Sequence, residues 1–202
     1  SIYAPRGKTL GGSSSINGHI YNRGQRQDFD TWAQMGNRGW SYRDVLPVFK
    51  RMESYAGGDA EYRGREGPLR ISDNTEVGEL YDSFVTAAGK IGIRYNPDYN
   101  GPDQEGISMT QASISGGRRM STARCYLDPI RSNPRLDVET GAHAEQLLLE
   151  GRRCVGVRYS VNGQKREARA TREVIVSGGS INSPKLLELS GIGQGDRLRA
   201  LG

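Results

Sequence analysis

Residues 7–24 read GKTLGGSSSINGHIYNRG and hold the densest run of groups suited to binding an anion or a polar ring edge. Gly11 and Gly12 lack side chains, so another group can come close to their backbone. Ser13, Ser14, Ser15 and Asn17 add short polar side chains beside backbone N–H donors, an arrangement that suits a phosphate. The stretch is not a Walker A loop. Gly7-Lys8-Thr9 matches the end of one, but the required first glycine would fall on Ile2. A flexible glycine–serine linker has a similar composition. Leu10, Ile16, Ile20 and Tyr21 argue against that, because a solvated linker has no use for apolar anchors.

A second stretch places chemistry at a turn. Residues 174–177, VIVS, read as a strand entering Gly178-Gly179. Ser183 is expected as an N-cap, Pro184 as the first helical residue, and Gly191 as the residue that closes the helix. Strand, glycine turn and helix N-terminus together make an anion site; an ordinary βα unit reads the same way. No G-x-G-x-x-G follows a strand, since Gly191, Gly193 and Gly195 trail a helix. The two cysteines, Cys125 and Cys154, lack metal-ligand spacing, and of the two histidines His143 reads as structural and His19 as a packing residue, with a place beside a ligand of the 7–24 loop as its other reading. No metal is expected, and the cysteines read as reduced thiols of a cytosolic protein. Arg118 and Arg119, in GGRRMSTARCYL, are expected in structural ion pairs, with contact to the 7–24 loop as the other reading.

The elements that must position these groups follow from pattern. FDTWAQM begins a short helix, broken by Gly36 and Gly39, with Trp32 expected to be packed. Ser41 reads as the N-cap of YRDVLPVFKRME, with Asp44 completing a capping box and Pro47 starting or kinking the helix. Residues 55–67 are polar and glycine-rich and read as a surface loop, with a lid over a cofactor site as the functional version. PLRIS alternates as a strand. Between Val77 and Ile91, Leu80, Phe84, Ala87, Ala88 and Ile91 recur at helical spacing, and Gly92 ends the helix. Residues 107–115 alternate again, as a strand lining a polar pocket or an edge strand would. Ser121 is a candidate N-cap. Residues 136–140, 146–149, 154–161 and 173–176 read as β-rich runs, with Glu150-Gly151 and the hairpin signal Asn162-Gly163 between them, so that they form a meander.

A chain of 202 residues can hold one large or two small domains, although 35% hydrophobic residues and 28 glycines give a lean core. Mean hydropathy is −0.67 and the pI about 9.3. The net charge of +5 is dispersed among acids, with no basic stripe. This argues against nucleic acid and for an anionic cofactor or substrate. No apolar run reaches the ~20 residues that cross a bilayer, and a signal peptide is not visible. The expected setting is cytoplasmic, with peripheral membrane association left open. The chain opens SIYAPRG and closes ALG, and it reads as an internal piece of a longer protein.

GKTLGGSSSING followed by HIYNRG, DFDTWA and GNRGW resembles the first signature of the glucose–methanol–choline (GMC) flavoprotein oxidoreductases. GSINSPKLLELSGIG, at 179–193, resembles the second, and GGRRMSTARCYL the intervening GRR-S-AYL phrase. The order is the family's, the likeness covers almost the whole chain, and the wording is closest to the bacterial choline and alcohol dehydrogenases. The resemblance implies an α/β fold of α+β character, split between two functional parts. Residues 1–67 and 135–202 would belong to an FAD-binding part with a β-meander, and 68–134 to an antiparallel-sheet substrate part.

It also implies FAD as cofactor. Gly11, Gly12, Ser13 and Ser14 match the pyrophosphate turn, and Asn17, Gly18, His19 and Ile20 the flavin end. Ala144 stands where the family usually has a valine that meets adenine, and Gly178 lies in a Ser-Gly-Gly that replaces Ser-Ala-Gly. Some members bind flavin covalently through a histidine at position 16; Ile16 has no nucleophile, so non-covalent FAD is expected. The implied activity is oxidation of a small primary alcohol, choline-like, by a dehydrogenase or oxidase. The dinucleotide fingerprint would lie upstream and the catalytic histidine downstream, so no catalytic residue is assigned. The other readings are a FAD-containing cyanohydrin lyase and a non-catalytic interaction domain. A homo-oligomer is left open.

Overall fold

The computed structural model describes residues 3–75 and 78–200. The chain forms two compact units, Ser1–Leu136 and Asp137–Gly202. Helices and small, mostly antiparallel sheets mix in both, in keeping with the α/β reading.

In the first unit, a 3₁₀ turn, Gly12–Ser15, is followed by α1 (Arg26–Gln34) and α2 (Tyr42–Met52). The cap of α2 is the expected one: the Ser41 hydroxyl accepts from the Asp44 N–H, and the Asp44 carboxylate accepts from the Ser41 N–H. Pro47 lies inside the helix. Phe29 is buried between the two helices, edge-on to Trp32 at 5.4 Å and to Phe49 at 5.5 Å. Trp32 also meets Trp40 and stays 44% exposed, so it is packed on one face only.

Strands β1 (Glu53–Tyr55), β2 (Leu69–Asp73) and β3 (Gln111–Ala112) form one sheet, β1 parallel and β3 antiparallel to β2. Residues on both sides of position 67 therefore share a sheet. The alternation over 107–115 breaks into β3, β4 (Ile114–Ser115) and a bridge at Ile107; β4 pairs with β5 (Arg118–Arg119). Helix α3 (Glu79–Lys90) ends at Gly92, φ 83°, as expected, while Val77 lies outside the described residues. Its buried stripe is the expected one only at Ala88. Leu80, Phe84 and Ile91 are exposed, and the helix turns Tyr81, Val85 and Ala88 inward. Both stripes have helical spacing and share Ala88, so spacing alone does not choose between them.

The loop over 55–67 reaches the surface at 58–61, as expected, but is anchored at its C-terminal half. Arg63 within it is fully buried, and a Cβ on Gly64 or Gly67 would strike the backbone of residues 50–53. Among the described residues the largest fully buried side chains are polar: Arg63, Gln111, Glu53 and Asn100. Such groups enter a core only when paired, and here they pair with each other.

The second unit is the expected meander, β6 (Ala142–Glu150), β7 (Arg153–Val161) and β8 (Gln164–Arg169), all antiparallel. Asn162 (φ 50°) and Gly163 (φ 78°) make the tight turn that this dipeptide favours. Helix α4 (Gly179–Leu189) lies on β6, where the Ser190 hydroxyl accepts from the Leu147 N–H and donates to the Leu186 carbonyl. Helix α5 (Gly195–Ala200) follows.

Three expectations fail here. Residues 136–140 and 173–177 form no strand among the described residues. The Ala170 N–H still bonds the Val155 carbonyl, after which the chain leaves β7, and an apolar run without a neighbour is not a strand. Nor is Ser183 an N-cap with Pro184 at the first position. The helix begins a turn earlier, and the Ser183 hydroxyl accepts from the Gly178 N–H at 2.9 Å. Gly191 (φ 80°) closes the helix as expected.

Candidate functional site

The loop 7–20 is shaped by its own side chains. Gly11 has φ 84°, and a Cβ there would lie 2.5 Å from the Ser15 hydroxyl. Ser13 accepts from the Gly7 N–H, Ser14 donates to the Gly11 carbonyl at 2.5 Å, and Ser15 donates to the Leu10 carbonyl. These hydroxyls hold the turn as well as offering polar groups to a ligand, which composition alone does not reveal. Two of the glycines face open space: a Cβ on Gly12 or Gly18 would meet nothing within 4 Å.

A second segment braces the loop. Thr122 donates its N–H to the Ser14 hydroxyl at 2.9 Å and its hydroxyl to the Gly11 carbonyl at 3.2 Å. Arg119 takes no carboxylate among the described residues, against the expected ion pair. Its Nη1 donates instead to the Asn17 carbonyl at 2.7 Å, Asn17 Oδ1 at 2.6 Å and the Ser14 carbonyl at 3.3 Å. Its Nη2 lies 3.2 Å from His19 Nε2. This is the contact that sequence reasoning weighed and set second. The signal was present in the GRR phrase, but nothing local says which residues an arginine will meet across 100 positions.

The loop's exit is stitched to the sheet. Ile20 bridges Ala112, the Tyr21 N–H donates to the Gln111 carbonyl at 2.8 Å, and the Ser113 N–H donates to the His19 carbonyl at 2.8 Å. Beneath this lies the buried polar cluster. Arg63 grips Glu53 with two hydrogen bonds and reaches Asp98 at 2.5 Å and Gln111 Oε1 at 3.0 Å. Arg23 Nη2 sits 2.6 Å from Glu53 Oε1, and its N–H donates to Asn100 Oδ1. Burial alone would push the Glu53 carboxyl up; hydrogen bonds from Arg63 and the Gly64 N–H, with both arginine charges, outweigh it and hold it below its usual value. Tyr21 is pushed up to about 12, by burial first and then by the Glu53 charge. Asn100 Nδ2 and the Tyr99 hydroxyl both donate to the Tyr21 carbonyl. The cluster thus fixes the chain immediately after the loop. Sequence reading missed it, because its members are scattered and arginine usually marks a surface.

Of the expected site residues, Gly11, Gly12, Ser13, Ser14, Asn17, Gly18, His19 and Ile20 come together on this loop in the first unit. Ala144 and Gly178 belong to the second unit. Ala144 lies on β6 at a shift in register between it and Gln146, and Gly178 precedes α4. His143 is on the same strand, opposite Ser160. A cleft of about 340 Å³ lined by Arg23, Gln25, Arg26 and Tyr42 also exists in the first unit, but none of residues 11–19 lines it.

The sequence model of the GMC oxidoreductase family matches residues 1–201. The chain is 46% identical over 201 residues to an oxygen-dependent choline dehydrogenase of Rhizobium johnstonii, covering 100% of this chain and 36% of that protein. It is 47% identical over 202 residues to one of Brucella ovis, covering 37% of it. The chain therefore spans little more than a third of the length of these curated relatives. Among solved structures, pyridoxine 4-oxidase from Mesorbium loti superposes with a TM-score of 0.87 at 32% identity, covering 96% of this chain and 39% of that one. An FAD-dependent oxidoreductase from Chaetomium thermophilum gives 0.90 at 27% identity, covering 98% and 37%. With the match running through the braced loop and the meander alike, the chain belongs to the GMC oxidoreductase family.

Proposed function

We propose that this chain is the part of an FAD-dependent oxidoreductase that carries the cofactor loop, and that the whole protein oxidises a small primary alcohol, choline or a close analogue. The observation that carries the reading is the braced loop. Open faces at Gly12 and Gly18 leave room for close approach, and His19 Nδ1 is buried with no hydrogen-bond partner among the described residues. Those are features that an aromatic, hydrogen-bonding cofactor fits.

In this reading Gly11, Gly12, Ser13 and Ser14 hold the pyrophosphate, and Asn17, Gly18, His19 and Ile20 the flavin end. Ala144 serves the adenine, and Gly178 is a further cofactor-binding residue. Residues 1–67 and 135–202 form the cofactor part and 68–134 the substrate part. When bound, FAD supplies the acceptor for the hydride leaving the alcohol carbon. This chain's residues orient that acceptor, and the base that takes the hydroxyl proton lies on another segment of the whole protein. The chain has no assigned catalytic residue of its own.

The cofactor is held without a covalent bond at position 16, since Ile16 offers no nucleophile. Acid precipitation of the whole protein should leave FAD in the supernatant. Flavin retained on a peptide containing Ile16 would defeat that assignment. The activity is tested by anaerobic mixing of the whole protein with choline and with simple primary alcohols. Bleaching of the flavin absorbance is the expected result, and a spectrum unchanged by every alcohol would overturn it.

A further inference from the structure

His19 is held more tightly than a loop histidine needs to be. Its backbone sits at φ 60°, a left-handed conformation that is uncommon outside glycine. Its N–H donates to Asn17 Oδ1 at 3.2 Å, and its carbonyl accepts from both the N–H and the hydroxyl of Ser113. Arg119 fixes the ring as well as the chain. A guanidinium has donors only, so at 3.2 Å from Arg119 Nη2 the His19 Nε2 atom must accept. The ring proton is therefore on Nδ1. That atom is buried and has no partner among the described residues. A buried donor left unpaired is costly, and strain of this kind collects where structure is over-determined for a purpose.

We propose that Arg119 is a positioning residue that locks His19 in its Nδ1–H tautomer, and that this N–H donates a hydrogen bond to an acceptor atom of the bound flavin. The second half rests on the FAD reading above; the first half does not. Asn17 shares in the device, because the same guanidinium that sets the tautomer also holds the Asn17 carbonyl and Oδ1. A neutral side chain at position 119 would release both.

The test is histidine-selective ¹⁵N NMR of the full-length protein, with the His19 signals assigned by their loss in His19→Asn, a substitution that tolerates the left-handed backbone. In flavin-stripped wild type the ring should be in the Nδ1–H form, a result that does not depend on any Arg119 variant folding. Arg119→Met should shift it toward Nε2–H, and Arg119→Lys, which keeps a donor, should preserve Nδ1–H. Adding FAD should move the Nδ1–H resonance, and His19→Asn should weaken FAD binding about fivefold, the size of one hydrogen bond. An Nε2–H ring in wild type overturns the proposal, as does an unchanged tautomer in a folded Arg119→Met protein. A resonance that ignores bound FAD overturns the donor role. A protein that takes up no flavin at all defeats the FAD reading and the donor's target together, while the tautomer still decides what Arg119 does.

Discussion

Arg63 and Glu53 face each other with no exposed side-chain surface, joined by parallel hydrogen bonds from Nε to Oε1 at 2.9 Å and from Nη2 to Oε2 at 3.1 Å. Removing one partner of such a pair leaves a buried charge, which typically costs about 3–5 kcal/mol. Glu53→Gln should lose stability of that order. Arg63→Met should lose more, because it strips a partner from Asp98 and Gln111 as well. The Glu53 carboxyl is held below its ordinary value of 4.5. A depressed carboxyl stabilises the fold above its unfolded value, and the contribution is lost as pH falls through the lower folded one. Urea titrations of the whole protein from pH 6 to pH 3 should show a steep acid limb that Glu53→Gln flattens. Equal slopes in both proteins would rule this out.

Tyr21 predicts the opposite limb. Its hydroxyl is pushed from 10.0 to about 12. A raised value stabilises the fold below the unfolded value, and that contribution drains as pH rises from 10 to about 12. The amount is ~2–3 kcal/mol at the usual cost per pKa unit. Tyr21→Phe should remove part of the alkaline loss, the remainder belonging to Tyr55 and Tyr99, which burial also raises. Thermal melts across that range would reveal it, and an unchanged alkaline limb would contradict it.

Gly11 and Gly12 are adjacent and both left-handed, yet they should fail differently. Alanine at either pays roughly 1–2 kcal/mol for a conformation that L-residues avoid. At Gly11 the new Cβ also strikes the Ser15 hydroxyl, so Gly11→Ala should cost clearly more stability. At Gly12 the Cβ meets nothing. Gly12→Ala should therefore cost only that backbone strain in stability while losing FAD affinity by about tenfold or more, equivalent to ~1.4 kcal/mol. Titration of FAD into the flavin-stripped whole protein separates the two effects. Wild-type affinity in Gly12→Ala would show that the open face is not where the cofactor lies.

What was legible in the sequence was local. Ser41 with Asp44 and Asn162 with Gly163 act within a few residues, so their chemistry sits side by side in the text. The 7–24 loop was legible for the same reason, as a dense patch of small and polar residues. The buried cluster was not, because Arg63 meets Glu53, Asp98 and Gln111 only after the chain has folded, and composition assigns each of them to a surface. Leu80 and Tyr81 show a subtler limit. Each starts a stripe with helical spacing, and only the neighbours on one side decide which is buried. Residues 174–177 failed because a strand is a property of a pair, and its apolar text says nothing about whether a neighbour is there.

The 202-residue chain by itself should not turn over alcohols. In the reading proposed above, the dinucleotide fingerprint and the catalytic base belong to other segments of the whole protein, and neither histidine of this chain is assigned as that base. His19 has its Nε2 facing Arg119, and His143 sits on β6 opposite Ser160. Loss of a positioned base alone typically lowers rates by ~10²–10⁴. On the same reading FAD binding should be weak as well, the braced loop being one wall of a site that the rest of the whole protein completes. The measurement is anaerobic reduction of added FAD by choline and by primary alcohols, with the 202-residue chain and the whole protein side by side. Only the whole protein should bleach the flavin. Comparable rates in the two would place a competent base inside these residues, with His19 and His143 the first to substitute.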